Sequence, residues 1–92
     1  MAKSILQTEK ECYVTGSTEN LHRHHVFYGK NRQDSEKYGC FVWLRADWHN
    51  MSDYGVHFNK PLDLQLKQDC QRAFEARYSH EKFMTVFGRN YL

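Results

Sequence analysis

The chain has 92 residues, 13 Lys and Arg against 11 Asp and Glu, and a formal net charge of +2. That length suits one small domain with a modest core, and a single Pro with five Gly excludes a linker or a disordered tail. A net charge of +2 does not by itself indicate nucleic-acid binding. No apolar run approaches the roughly 18 residues of a membrane span. Three cysteines, Cys12, Cys40 and Cys70, without a leader segment suggest a reducing cytosol.

Residues 1–11 are mixed and read as an extended N-terminal arm. "CYVTGSTEN" follows as a short extended piece with a turn at Gly16–Ser17. "HHVFY", residues 24–28, is a first strand candidate. "GKNRQDSEKYG" is polar and bounded by glycines, which predicts a loop, with room for a helical turn around Asp34 to Lys37. Its basic residues, Lys30 and Arg32 among them, read as solvated surface by charge patterning, with nucleic acid or a partner as their other possible contact. "CFVWL", residues 40–44, is rich in aromatic and β-branched residues and predicts a second strand, pairing with the first as a hairpin.

The Asn, Ser, Asp and Gly residues of "RADWHNMSDYGVHFN" argue against one continuous helix there. After it comes the clearest element. Asn59 is a candidate N-cap, Pro61 lies in the first turn, and Leu62, Leu66, Cys70, Ala73 and Phe74 share a face at helical spacing. Cys70 therefore reads as a small buried hydrophobe. Ser79 opens a last short helix with Phe83, Val86 and Phe87 on its apolar side and Gly88 as its stop. The expected fold class is α+β: a β-hairpin followed by a long helix and a short C-terminal helix, in one domain.

Six histidines remain to be explained, three of them packed into "HRHH", residues 22–25. Neutral imidazole is the commonest transition-metal ligand and a general base near neutral pH. Three imidazoles and a water suit a catalytic divalent-metal site with an open position, and a fourth could deprotonate that water. His24, His25, His49 and His57 are the candidates. Were residues 49–57 one helix, the two histidines would lie about 12 Å apart along its axis, so the chain must bend between them, most naturally at Gly55. In a regular strand His24 and His25 point to opposite faces and can share a site only at a strand end or twist. The alternative at this point is scattered surface histidines.

The order "CYVTGSTENLHRHHVFYG", "WLRADWHN", "GVHFNK" and a long C-terminal helix resembles small HNH-type proteins of bacteriophages and prophages, over roughly residues 11 to 92. The resemblance implies a ββα-metal (His-Me finger) nuclease fold and a metal-dependent phosphodiester endonuclease acting on DNA or RNA. It implies His24, His49 and His57 as metal ligands, His25 as the base that activates water, held by a hydrogen bond often made to a backbone carbonyl, and one divalent ion, Zn²⁺, Ni²⁺, Mn²⁺ or Mg²⁺. His22, beside this set, reads as a surface residue.

The chain departs from the pattern at the family's structural zinc knuckle. Cys12 stands at the first knuckle position, but Thr15, Arg45 and Trp48 occupy the others. One thiolate cannot hold a structural zinc, which takes four N/S ligands. Tyr13, Trp43 and Trp48 could plug that space, and Arg45 could pair with Asp47 or Glu11. A rearranged zinc site of Cys12, Cys40 and Cys70 has no supporting spacing. The family's central Asn is not evident either; Asn31 or Asn50 could stand in. These departures open a second expectation, a nuclease-silent binding protein that inhibits host defence in the manner of an anti-CRISPR protein. Its partner would be a CRISPR effector or another nucleic-acid-processing protein of host or phage, docked on Arg45 and Trp48, since Arg and Trp are favoured interface anchors. A packaging or assembly accessory working with a terminase is a third.

Overall fold

The structure, a computed structural model, describes residues 3–92. Two antiparallel strands form its centre: β1, Leu21–His25, and β2, Phe41–Arg45. The register pairs His22 with Leu44, Arg23 with Trp43, His24 with Val42 and His25 with Phe41. Side chains alternate across a strand. One face of the hairpin therefore carries His22, His24, Val42 and Leu44, and the other carries Arg23, His25, Phe41 and Trp43.

β1 lies three residues earlier than the sequence suggests. Val26 and Phe27 are fully buried, and the Phe27 N–H and carbonyl are both taken by the Ser35 hydroxyl, which ends the ladder. The polar segment after it is a complete helix, α1, Arg32–Tyr38. It is anchored by buried Ser35 and stopped at Gly39, whose φ of +75° suits only glycine and where an added Cβ would strike the Lys3 carbonyl.

After β2 the chain makes one short helix, α2, Ala46–His49, and a 3-10 turn, Val56–Phe58, before the long α3, Lys60–Arg77. Asn59 caps α3 by accepting from the Leu62 N–H at 3.2 Å. Leu66, Cys70, Gln71 and Phe74 are its buried face. Ser79 caps α4, His80–Phe87, in the same way through the Lys82 N–H, and Gly88 ends it at φ +75°. The expected hairpin, long helix and short helix are present, with α1 and α2 added. The core gathers Phe27, Leu44, Leu66, Phe74, Phe83 and Phe87 between the histidine-bearing face of the hairpin and the last two helices.

The N-terminal arm, from residue 3, docks along the outer edge of β2. Ile5 N–H donates to the Gly39 carbonyl, Ser4 Oγ to the Phe41 carbonyl, Trp43 N–H to Gln7 Oε1, and Tyr13 N–H to the Trp43 carbonyl. An edge strand left bare is a template for aggregation, and this arm covers it. No described helix is long and apolar enough to cross a membrane.

Candidate metal centre

His24 comes from the inner face of β1, His49 from the end of α2, and His57 from the turn before α3. Their ring nitrogens lie within 4.8 Å of one another, the one such group of three among the described residues. Ring centroids are separated by 5.3 Å (His24–His49), 5.2 Å (His24–His57) and 4.7 Å (His49–His57). Gly55 makes the convergence possible. It is buried against the end of α2, and a Cβ there would stand 2.8 Å from the His49 carbonyl oxygen. The eight-residue excursion thus closes on itself and returns His57 Nε2 to within 3.0 Å of His49 Nε2.

His24 is 2% exposed, and its Nε2 is the one buried side-chain nitrogen or oxygen among the described residues with no hydrogen-bond partner. Burial, then the neighbouring His49 and His57, lower its pKa from 6.5 to about 3. Burial, then His57 and His22, lower that of His49 to about 4. Both rings are neutral at physiological pH, the form that coordinates metal. Nitrogens bound to one tetrahedral zinc stand about 3.3–3.4 Å apart for Zn–N bonds of about 2.0–2.1 Å. The three imidazoles therefore fit a divalent ion with small side-chain adjustments. His57 is exposed, so the centre opens to solvent on that side.

Two further groups surround the trio. His22 is not the isolated surface residue expected: its Nδ1 lies 3.0 Å from His49 Nδ1, and the rings meet edge to face. Its signal in the sequence is the i, i+2 spacing to His24, which puts both on one strand face. Tyr28, ring 5.7 Å from His57, donates from its hydroxyl to Asp63 Oδ1 and accepts from Lys67 Nζ, which also pairs with Asp63. Burial draws the Lys67 pKa down, but its bonds to Asp63 and Tyr28 outweigh that and raise it, so the lysine is charged beside the centre. Only the i, i+4 spacing of Asp63 and Lys67 hinted at this pair.

His25 is not brought into the trio. It lies on the other strand face, where its Nε2 is 2.9 Å from Glu36 Oε1, and Arg23 donates to both oxygens of the same carboxylate. The hydrogen bond from His25 lowers the Glu36 carboxyl most; burial opposes it, and the bond from Arg23 helps keep the group below its usual range. The partner of the ring is thus a carboxylate on α1 and not a backbone carbonyl. Asn31 donates to the Phe87 carbonyl and Asn50 is exposed; neither joins the histidines.

At the knuckle positions Cys12 is buried, and its thiol is approached by the Arg45 N–H, the Thr15 hydroxyl and the Thr15 and Val14 N–H groups. Burial pushes that thiol up, but these donors together lower it. Arg45 forms a two-pronged pair with Asp47 at 2.7 and 2.8 Å, and Tyr54 donates to the same carboxylate. Trp48 packs on Tyr54 and, with Tyr13, against the core, while Trp43 faces the opposite side of the hairpin. Trp43 is therefore not placed with Tyr13 and Trp48. All three cysteines are free and buried, and no ligand group forms from them among the described residues. Lys30 and Arg32 are exposed.

Comparison with family models, with curated proteins and with solved structures returns no match.

Proposed function

We propose that the chain is an HNH-type metal-dependent phosphodiesterase, with one divalent ion held by His24, His49 and His57. The observation that carries the metal is the buried, partnerless Nε2 of His24 inside a group of three imidazoles. Leaving such a nitrogen without a partner costs roughly 1–3 kcal/mol, and a cation removes that cost. When bound, a divalent ion with three imidazole ligands and an open position supplies Lewis-acid polarisation of a phosphoryl oxygen. Zn²⁺, Ni²⁺ and Mn²⁺ suit such a donor set better than Mg²⁺.

The chain's own residues have separate tasks. His24 and His49 stay neutral and ready to coordinate. His22 Nδ1 accepts the proton that His49 must carry on Nδ1 when its Nε2 coordinates, which fixes that ring's tautomer and direction. Lys67, charged and beside Tyr28, favours an anionic substrate. His25 donates Nε2–H to Glu36 and so keeps Nδ1 free as a base. It is the last residue of β1, so its ring and the metal centre can address one water only around that strand end. The phosphodiester substrate comes from the resemblance of "HRHHVFYG" and "HN…GVHFNK" to HNH proteins.

The position of His25 on the far face favours a second reading, a nuclease-silent metal domain whose partner is a nucleic-acid-processing protein such as a CRISPR effector. The test measures metal content and cleavage of plasmid and single-stranded substrates with Mn²⁺, Ni²⁺ or Mg²⁺. The nuclease reading expects about one ion per chain and cutting by wild type. It expects His24→Ala to lose both and His25→Ala to lose cutting alone. One bound ion without cutting leaves the second reading; no bound ion removes the metal centre altogether.

A further inference from the structure

On the face of the hairpin turned away from His24, His49 and His57 lies an open groove of about 740 Å³. Its walls are the N-terminal arm, the outer face of the hairpin, and the C-terminal ends of α1 and α3. Lys3, Lys10, Arg23, Lys37 and Arg77 line it, with Glu9 as its one carboxylate. Five of the chain's 13 basic residues and one of its 11 acidic residues are therefore here. The groove is net +4, and the rest of the chain is net −2. The modest overall charge hides a strongly polarised molecule.

These cations have little to neutralise them. Arg23 is the one of the five in an ion pair among the described residues, with Glu36. Three of the five, Lys10, Arg23 and Lys37, rest on rings. Lys10 Nζ sits 4.5 Å over Trp43, the Arg23 guanidinium 4.3 Å over Phe41 and 5.1 Å from Trp43, and Lys37 Nζ 5.4 Å from Tyr38. Tyr78, half exposed, closes the end of the groove edge-on to Tyr38. An exposed cation–π contact is weaker than a charged hydrogen bond to phosphate. The cations are thus free to exchange a ring for an anion, and the rings so released present flat faces.

We propose that this groove binds single-stranded nucleic acid, with Lys3, Lys10, Lys37 and Arg77 on phosphates and bases stacked on Trp43 and Tyr78. Interleaved cations and aromatic rings are what a flexible strand with exposed bases matches. A duplex hides its base faces and leaves the rings unused. An acidic peptide would answer the charge but not the rings. As a grip on substrate the groove rests on the phosphodiesterase reading. As a binding surface it is independent of the metal, and the test is run without one.

The full chain is titrated with 5′-labelled dT12 and U12 and with a 12-base-pair duplex, in EDTA, by fluorescence anisotropy at several salt concentrations. Both single strands are expected to bind at least tenfold tighter than the duplex and to quench Trp43 fluorescence in a Trp48→Phe background. The double variant Lys37→Gln/Arg77→Gln alters two exposed side chains. It is expected to keep its circular dichroism and melting temperature, weaken binding about tenfold, and flatten the slope of log K against log salt by about 1.4, two phosphate contacts on a single strand. If the double variant does not fold, Arg77→Gln alone should flatten the slope by about 0.7. No binding at low salt, equal binding of the duplex or of hexaglutamate, or an unchanged slope in the variants overturns the proposal. Loss of cleavage with binding intact would count against the metal chemistry and not against the groove.

Discussion

An imidazole buried to 2% exposure beside two others is a liability unless something holds it. The cost appears in acid. An unfolded histidine titrates at about 6.5, whereas burial holds His24 near 3 and His49 near 4. Below pH 6.5 the unfolded chain takes up protons that the native chain refuses. Stability from these rings is therefore complete above pH 6.5 and drains as pH falls toward the folded values. The decline reaches about 1.4 kcal/mol per pH unit for His24 alone. Urea midpoints of the metal-free protein at pH 7.5, 6.0 and 5.0 should fall in that order, and His24→Phe should flatten the trend; a level trend in wild type would show that His24 is not buried neutral. The window ends near pH 5 because below it the carboxyls of Glu36 and Asp47 begin to take up protons in the unfolded chain, while their partners keep them ionised in the native one. His22 has a different consequence. Because it receives the outer proton of His49, His22→Ala should weaken Co²⁺ or Zn²⁺ binding about 10–100-fold, while His22→Gln, which keeps an acceptor, should recover part of it. Calorimetric titration reads both, and equal affinity in His22→Ala would remove the orienting role.

The elements that carry the centre differ in how they are specified. Helices α3 and α4 were legible because cap, periodic apolar face and stop residue all agree at Asn59, Leu66 to Phe74, Ser79 and Gly88. The loop between His49 and His57 has no periodicity to read, and only the need to bring two ligands together pointed to Gly55. That glycine has an ordinary extended backbone, φ −63°, so the requirement for it is steric: a methyl group would sit 2.8 Å from the His49 carbonyl and 3.0 Å from that of Asp47. Backbone cannot yield as a side-chain tip can. Gly55→Ala should therefore move His57 from His49 and lower metal affinity at least tenfold while α3 stays helical, as measured by metal titration with circular dichroism. Unchanged affinity would mean the loop closes without that contact. The end of β1 and the full length of α1, beyond the turn around Asp34 to Lys37, were not legible for a related reason. Ser35 fixes both, through hydroxyl bonds to Phe27 across eight residues, and a side chain bridging two segments leaves no mark in local pattern. The same holds for the two faces of β1. Alternation separates His24 from His25 in the sequence alone, but it took Glu36 on α1 to show where His25 is held, and His22 joined the site unforeseen.

At the scale of the whole molecule, a 92-residue chain keeps its centre where three separately specified segments meet: strand, short helix and 3-10 turn. Nothing covalent joins them, and near the end of β2 Cys12 lies under the donors of Thr15 and Arg45, with Arg45 tied to Asp47. Exposed ion pairs of that kind contribute little, far less than a structural zinc. The cross-link still available to the fold is a metal ion that the group His24, His49 and His57 could hold. Ligand that binds only the native state adds RT ln(1 + [L]/Kd), about 2.7 kcal/mol at a hundredfold excess over Kd, and in a domain of this size each kcal/mol moves the melting temperature by about 4–8 °C. Saturating Zn²⁺ or Ni²⁺ should therefore raise Tm by about 10–20 °C over the EDTA-treated protein. His24→Ala should melt at the same temperature with and without metal, whereas Cys12→Ala should retain the full metal-induced rise from a lower starting point, because it loses a buried side chain but no ligand. A rise that survives in His24→Ala and vanishes in Cys12→Ala would move the ion to the knuckle and leave the three histidines as a packed cluster with no metal in it.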